Sequence, residues 1–224
     1  LRHWPWESFE TCLRYYYAAV TEIDAQLGRV LCALEKSGQM DRTLIVFTSD
    51  HGDSLGIHGG LSDKAIAMYE ETNRVPLILV PPGSDPADAR IEDRFAGTCD
   101  LYATALDYAG ATTPEKDIDG RSLRPLLEGT PTEWRQDFVT ECSGLDNLLH
   151  SQRALRYQHF KYVFNCGEVD ELYDLDSDPH ELHNLAPDPA HADLLRLMRE
   201  RLDRWMGAHG DGLQERYRRL RGLV

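Results

Sequence analysis

The sequence has no apolar run approaching the roughly 18 residues that a membrane-spanning helix needs, so a bilayer is not among its expected partners. Its 42% hydrophobic and 28% charged content is that of an ordinary globular chain. Positive charge is scarce: 24 lysines and arginines stand against 38 acidic side chains, a formal charge of −14. Such a surface repels nucleic acid and anionic membranes, and a negatively charged substrate would need local help from a cation or a lysine. Cysteine chemistry is thin as well. The five thiols, Cys12, Cys32, Cys99, Cys142 and Cys166, are odd in number and scattered, with no CxxC pair and no zinc-ribbon spacing, and they read as mostly free. That favours a reducing compartment only weakly. The opening "LRHWPWESFETC" has neither an initiator methionine nor an apolar signal-peptide core, and the choice between cytoplasm and periplasm stays open. No internal repeat, heptad series or low-complexity tract is present.

What is there fits one large domain or a core with a small appendage, given 224 residues. From Phe9 to Lys36 apolar side chains recur in steps of three and four and draw one helical stripe, which Gly38 stops. "TLIVFTS", Thr43 to Ser49, and "VPLILVPPG", Val75 to Gly83, are almost continuously apolar and β-branched, as strands covered on both faces of a parallel sheet would be. An edge strand is expected at Arg94 to Gly97, then a helix in "CDLYATALDYAG" and a loop with a short helix in "DGRSLRPLLEG". From Asp137 onward "FVTECS", "RALRYQHFKYVFN" and "DELYDL" alternate polar and apolar residues between turn signals, which predicts an antiparallel sheet with one wet face. "DSDPHELHNLAPDP" reads as an ordered loop, and "HADLLRLMRERLDRWMGAH" as a helix with Leu194, Leu195, Met198, Leu202, Trp205 and Met206 on one side.

Ligands of open parallel sheets gather beyond the carboxyl ends of the strands, where "TSDHGD" places Asp50 and His51. A carboxylate and an imidazole can supply a hard oxygen and a borderline nitrogen to a divalent ion, and Gly52 lets the chain turn sharply enough for both to converge. Two donors do not complete a shell of about four to seven, and the same tripeptide also suits a plain polar turn. Downstream, His58 is either a solvated loop histidine or a donor to an anionic ester, and Lys64 carries the positive charge that the chain otherwise lacks.

"TSDHGDSLGIHGGLSDKAIAMYEETNRVPLILVPPG" closely resembles the sulfatase signature of the alkaline phosphatase superfamily: a strand-end Asp-His pair, an HG loop, a lysine and "YEE..RVPL". The interval from Asp50 to Lys64 is one residue longer than the common spacing. "AAVTEIDAQLGRVLCALEKSG", "DLYATALDYAG", "DGRSLRPLLEG", "RALRYQHFKYVFN" and "ELYDLDSDPHELHNLA" also resemble family segments in the expected order. Together they correspond to the later part of a sulfatase. The resemblance implies an α/β fold, a partial sulfatase-like core with a mostly parallel sheet and flanking helices over residues 1–136 and a small α+β lobe with an antiparallel sheet over 137–224.

It further implies Asp50 and His51 as metal ligands, Lys64 on the ester oxygens and His58 as the HG histidine of the loop. The expected metal is calcium first, with manganese or zinc as alternatives. The implied function is hydrolysis of an anionic sulfate ester; the rivals are a phosphodiesterase or phosphonate monoester hydrolase of the same superfamily and a noncatalytic fragment or binding lobe. Glu70, Glu71 and Arg74 match "YEE..R" but suit a structural hydrogen-bonded network as well as a site. None of the five cysteines lies in a CxPSR motif, and no SxPxR substitute occurs. The resemblance therefore implies an upstream segment carrying the formylglycine nucleophile, little or no turnover by this chain alone, and unpaired apolar surface met by a homo-oligomer or by that missing N-terminal segment.

Overall fold

A computed structural model describes residues 5–61, 63–64, 67–112, 118–145 and 148–223. In chain order the elements are α1 (Trp6–Lys36), β1 (Ile45–Thr48), the turn-like α2 (Ile57–Gly60), α3 (Glu70–Asn73), β2 (Leu77–Val80), α4 (Cys99–Ala109), α5 (Arg124–Leu127), β3 (Asp137–Leu145), β4 (Leu148–Tyr157), β5 (Phe160–Asn165), β6 (Glu171–Asp174), α6 (Ala192–Ala208) and α7 (Gln214–Arg221). Two compact units emerge: Leu1–Ala65 with Arg74–Glu133, and Ile66–Asn73 with Trp134–Val224. The short stretch 66–73 thus leaves its sequence neighbours and joins the C-terminal unit.

In the first unit, α1 ends as its sequence predicts. Gly38 adopts φ 66, its N–H bonds to Glu35 O and that of Gln39 to Leu34 O, the paired closure that a left-handed glycine permits. The two strands pair with each other, Ile45 opposite Val80 and Thr48 opposite Leu77, and they run antiparallel. The expected parallel pairing is corrected to an antiparallel one. None of the eight residues is buried, and the register places exposed Val46 on one face and exposed Ile78 and Val80 on the other. An apolar run reports that a strand has apolar neighbours to meet; its direction is decided by how the connecting chain returns. Residues 94–97 form no strand. Their backbone is drawn into the start of α4, where the buried Asp100 carboxylate accepts the N–H groups of Gly97 and Arg121 at 2.9 and 2.8 Å. Thr104 Oγ1 donates to Asp100 O and accepts the Leu123 N–H. Gly120 fits there for want of a side chain, since a Cβ would lie 1.9 Å from Cys99 O.

The second unit holds most of the buried apolar residues among those described: Leu155, Tyr162, Phe164 and Leu172 from the sheet pack with Met198, Leu202 and Met206 of α6 and Tyr217 of α7. The predicted apolar side of α6 is therefore the buried side, whereas α7 has no counterpart in the sequence reading. The sheet is an antiparallel meander in the order β3-β4-β5-β6. Register puts Leu155 opposite Tyr162 on the helix-facing side and Gln152, Ala154 and Arg156 opposite Asn165, Val163 and Lys161 on the other. That second face is the one expected to be wet, and it is not. Lys161 is 1% exposed, and Met68 from the stretch 66–73 is buried with Ala154 and Val163. Polar alternation survives burial here because the charges have ionic partners.

Candidate functional site

β1 delivers its last residues to a corner where Ser49 Oγ donates to His51 O at 2.8 Å and lies 3.3 Å from Asp50 Oδ1. His51 Nδ1 sits 2.7 Å from Gly52 O. A carbonyl only accepts, so Nδ1 must carry the proton and, in the neutral ring, the lone pair is on Nε2. That nitrogen faces Asp50 Oδ2 at 3.6 Å. Two donors each about 2.1–2.4 Å from one ion stand about this far apart, and an imidazole held through its other N–H by a backbone carbonyl is the usual arrangement of a metal-ligating histidine. The donor pair therefore fits a divalent cation. Asp50 is exposed and its carboxyl is held below the usual carboxylate range, first by the backbone N–H of His51, then by its own backbone N–H and the nearby imidazole. It is ready as an anionic oxygen ligand at neutral pH.

The loop beyond is closed by another carboxylate. Asp53 Oδ1 accepts the N–H of Leu55 at 2.8 Å and that of Asp63 at 3.1 Å, and the Ser54 N–H returns to Asp63 O. This latch brings residue 63, the neighbour of Lys64, back against residues 53 and 54, three or four positions past Asp50. Lys64 is exposed. His58 lies within the loop with left-handed φ 48, ψ 46. Gly56 is required twice over: its φ is +89, and a Cβ would fall 2.3 Å from the Phe9 ring of α1. Asp53 was passed over in the sequence, where it looked like one more polar loop residue; its place after "DHG" and opposite the chain's return was the available signal.

Glu70, matched in sequence to "YEE..R", lies elsewhere, in a charged cluster of the second unit with Arg156, Lys161 and Glu181. A second group of metal-ligand types, His159, Asp174 and Asp176, comes together within 4.8 Å. There the two carboxylates face opposite ring nitrogens, Nε2 to Asp174 at 3.9 Å and Nδ1 to Asp176 at 3.6 Å. The two carboxylates approach the ring from opposite sides, and one ion can take only one of those nitrogens.

Residues 7–111 match the sulfatase family model. This is a sulfatase-family chain. It is 36% identical over 217 residues to the multifunctional alkaline phosphatase superfamily protein PehA of Trinickia caryophylli, covering 91% of this chain and 42% of that one. To the N-acetylglucosamine-6-O-sulfatase of Bacteroides thetaiotaomicron it is 36% identical over 189 residues, 81% of this chain and 33% of the other. Among solved structures, the phosphonate monoester hydrolase of Agrobacterium radiobacter superposes with TM-score 0.84 at 32% identity over 92% of this chain and 43% of that chain. The chain described here thus spans less than half the length of these relatives, which by name include both a sulfatase and a phosphonate monoester hydrolase.

Proposed function

We propose that these residues form the metal-ligand corner and anion loop of a metal-dependent sulfuric ester hydrolase. The observation that carries this reading is the His51 tautomer, set by Gly52 O, with Nε2 and the Asp50 carboxylate at bridging separation. When bound, the cation would polarise an ester oxygen and offset negative charge. Asp50 and His51 hold two of its positions, with calcium favoured by the family and manganese or zinc as alternatives. Lys64 places an ammonium on the outer oxygens of the anion, the one local positive charge that the reading needs in a chain of −14. His58 donates to the ester from the loop. The nucleophile of this reading is not among these residues, since no cysteine stands in a CxPSR motif.

Metal-dependent nitrophenol release from an aryl sulfate by the complete gene product, lost on Asp50→Ala, is the expected result, with little or no turnover from residues 1–224 alone. Unchanged activity in Asp50→Ala overturns the assignment. The PehA and phosphonate monoester hydrolase relatives favour a second reading, hydrolysis of an aryl phosphonate or phosphodiester at the same corner, and side-by-side kcat/KM values on the two substrates separate them. A noncatalytic fragment remains the third, and corner-dependent cation binding counts against it. The expected partners are the anionic ester and the polypeptide that completes the domain or a second copy, not nucleic acid or a membrane; no described helix is long and apolar enough to cross a bilayer. Exposed Tyr15, Tyr17, Val20, Ile23 and Val30 on α1, a helix with no buried residue, support such a covering partner.

A further inference from the structure

Backbone strain is concentrated in the loop that follows the Asp50–His51 corner. Of the five non-glycine residues with left-handed backbone among those described, three lie there: Leu55 at φ 43, His58 at φ 48 and Asp63 at φ 58. Such conformations persist only where the surroundings over-determine them. The half-buried Asp53 carboxylate does so for two of the three, since its Oδ1 accepts the Leu55 N–H at 2.8 Å and the Asp63 N–H at 3.1 Å. Hydrogen bonds to an ionised acceptor are roughly twice as strong as neutral ones. That oxygen is thereby committed to the loop, and among the described residues Asp53 forms no metal-ligand group with Asp50 and His51.

Residue 63 is held from both sides. Its N–H goes to Asp53, and its carbonyl accepts the Ser54 N–H at 3.0 Å. A peptide unit is planar, so the carbonyl oxygen of residue 63 shares a plane with the N and Cα of residue 64, and the bond to Ser54 fixes the Lys64 Cα as well. Ser54 is 1% exposed and follows Asp53 directly. All of these residues belong to the first unit. We propose that Asp53 is a positioning residue for Lys64: it holds the strained loop closed and so fixes the peptide unit from which the Lys64 ammonium extends, itself binding neither cation nor anion. The inference rests on the reading of Lys64 as the anion-binding lysine.

Trypsin cleavage after Lys64 in the whole chain, read by mass spectrometry, reports this hold without any need for turnover. Asp53→Ala strips the acceptor from two strained N–H groups, and cleavage there rises at least about tenfold as local opening becomes more populated, while cleavage within α6 keeps its wild-type rate; an unchanged rate at Lys64 overturns the proposal. Asp53→Asn keeps an oxygen in the same place without the charge and restores most of the protection. Cleavage as fast in Asp53→Asn as in Asp53→Ala makes the effect one of charge and overturns the proposal too. Should Asp53→Ala fail to fold, Asp53→Glu decides: it keeps the charge but displaces the oxygen by a methylene, cleavage at Lys64 still rises, and no rise refutes the hold. In the complete gene product, Asp53→Ala raises KM for the aryl sulfate more than it lowers kcat, whereas a merely structural role lowers the active fraction and leaves KM alone. Because Asp53 acts through Lys64, adding Asp53→Ala to Lys64→Ala costs less than about twofold more in kcat/KM. Fully additive losses sink the positioning role and leave the function standing. If Lys64→Ala leaves turnover intact, the reading of Lys64 fails, and with it the positioning role, whatever the proteolysis shows.

Discussion

Calcium binding by these residues is expected to be real and weak, and the donor count says how weak. Asp50 and His51 supply two ligands of the six to eight that calcium takes, and Asp50 is exposed, so water fills the remaining positions. Such a site belongs at the feeble end of oxygen-ligand affinities, about 1 mM. At 10 mM calcium the linkage term RT ln(1 + [L]/Kd) is then about 1.4 kcal/mol, a shift of roughly 5 °C in the melting of a unit of this size. Differential scanning fluorimetry against a calcium series, with sodium chloride at matched ionic strength as the control, measures it. Asp50→Ala removes the shift, because a lone neutral imidazole is a poor calcium ligand. Affinity in the low micromolar range would refute the donor count, and an equal shift in Asp50→Ala would refute the corner.

Three further outcomes are expected. Asp100→Ala orphans the N–H groups of Gly97 and Arg121 and should lower the urea-unfolding stability of the first unit by about 2–5 kcal/mol, with faster amide exchange at those two positions; Gly120→Ala should do worse, since its Cβ meets Cys99 backbone. Burial raises the Glu181 carboxyl against the opposing pull of Lys161. Its ionised form is thus disfavoured on folding, a deficit present above its folded pKa and relieved as pH falls toward the ordinary carboxylate range, so the stability of Glu181→Gln minus that of wild type should increase between pH 4 and pH 7 in denaturant titrations. Sedimentation velocity should show concentration-dependent association of the chain that Val20→Lys with Ile23→Lys abolishes, these side chains being 49% and 58% exposed; a wild-type monomer at about 100 μM would contradict it.

The periodic elements were legible because each is dictated by its own residues: the α1 stripe and its Gly38 stop, α4 ending at Gly110, the α6 face of Met198, Leu202 and Met206. The Asp-His pair stood out in the sequence as a candidate, but adjacent side chains of an extended chain point apart, and only the folded turn brings His51 Nε2 to 3.6 Å from Asp50 Oδ2. Three things were decided only in three dimensions. Strand direction in the β1–β2 pair depends on the path of the chain between them, which apolar pattern does not encode. The polar face of the C-terminal sheet looked wet because alternation marks polarity, not exposure, and Glu70 and Glu181, 91 and 20 residues from Lys161, turned that face into a buried one. The aim of His51 came last: sequence supplied the imidazole, but which nitrogen offers its lone pair was settled by a carbonyl one residue away, through a backbone turn that only the folded chain makes.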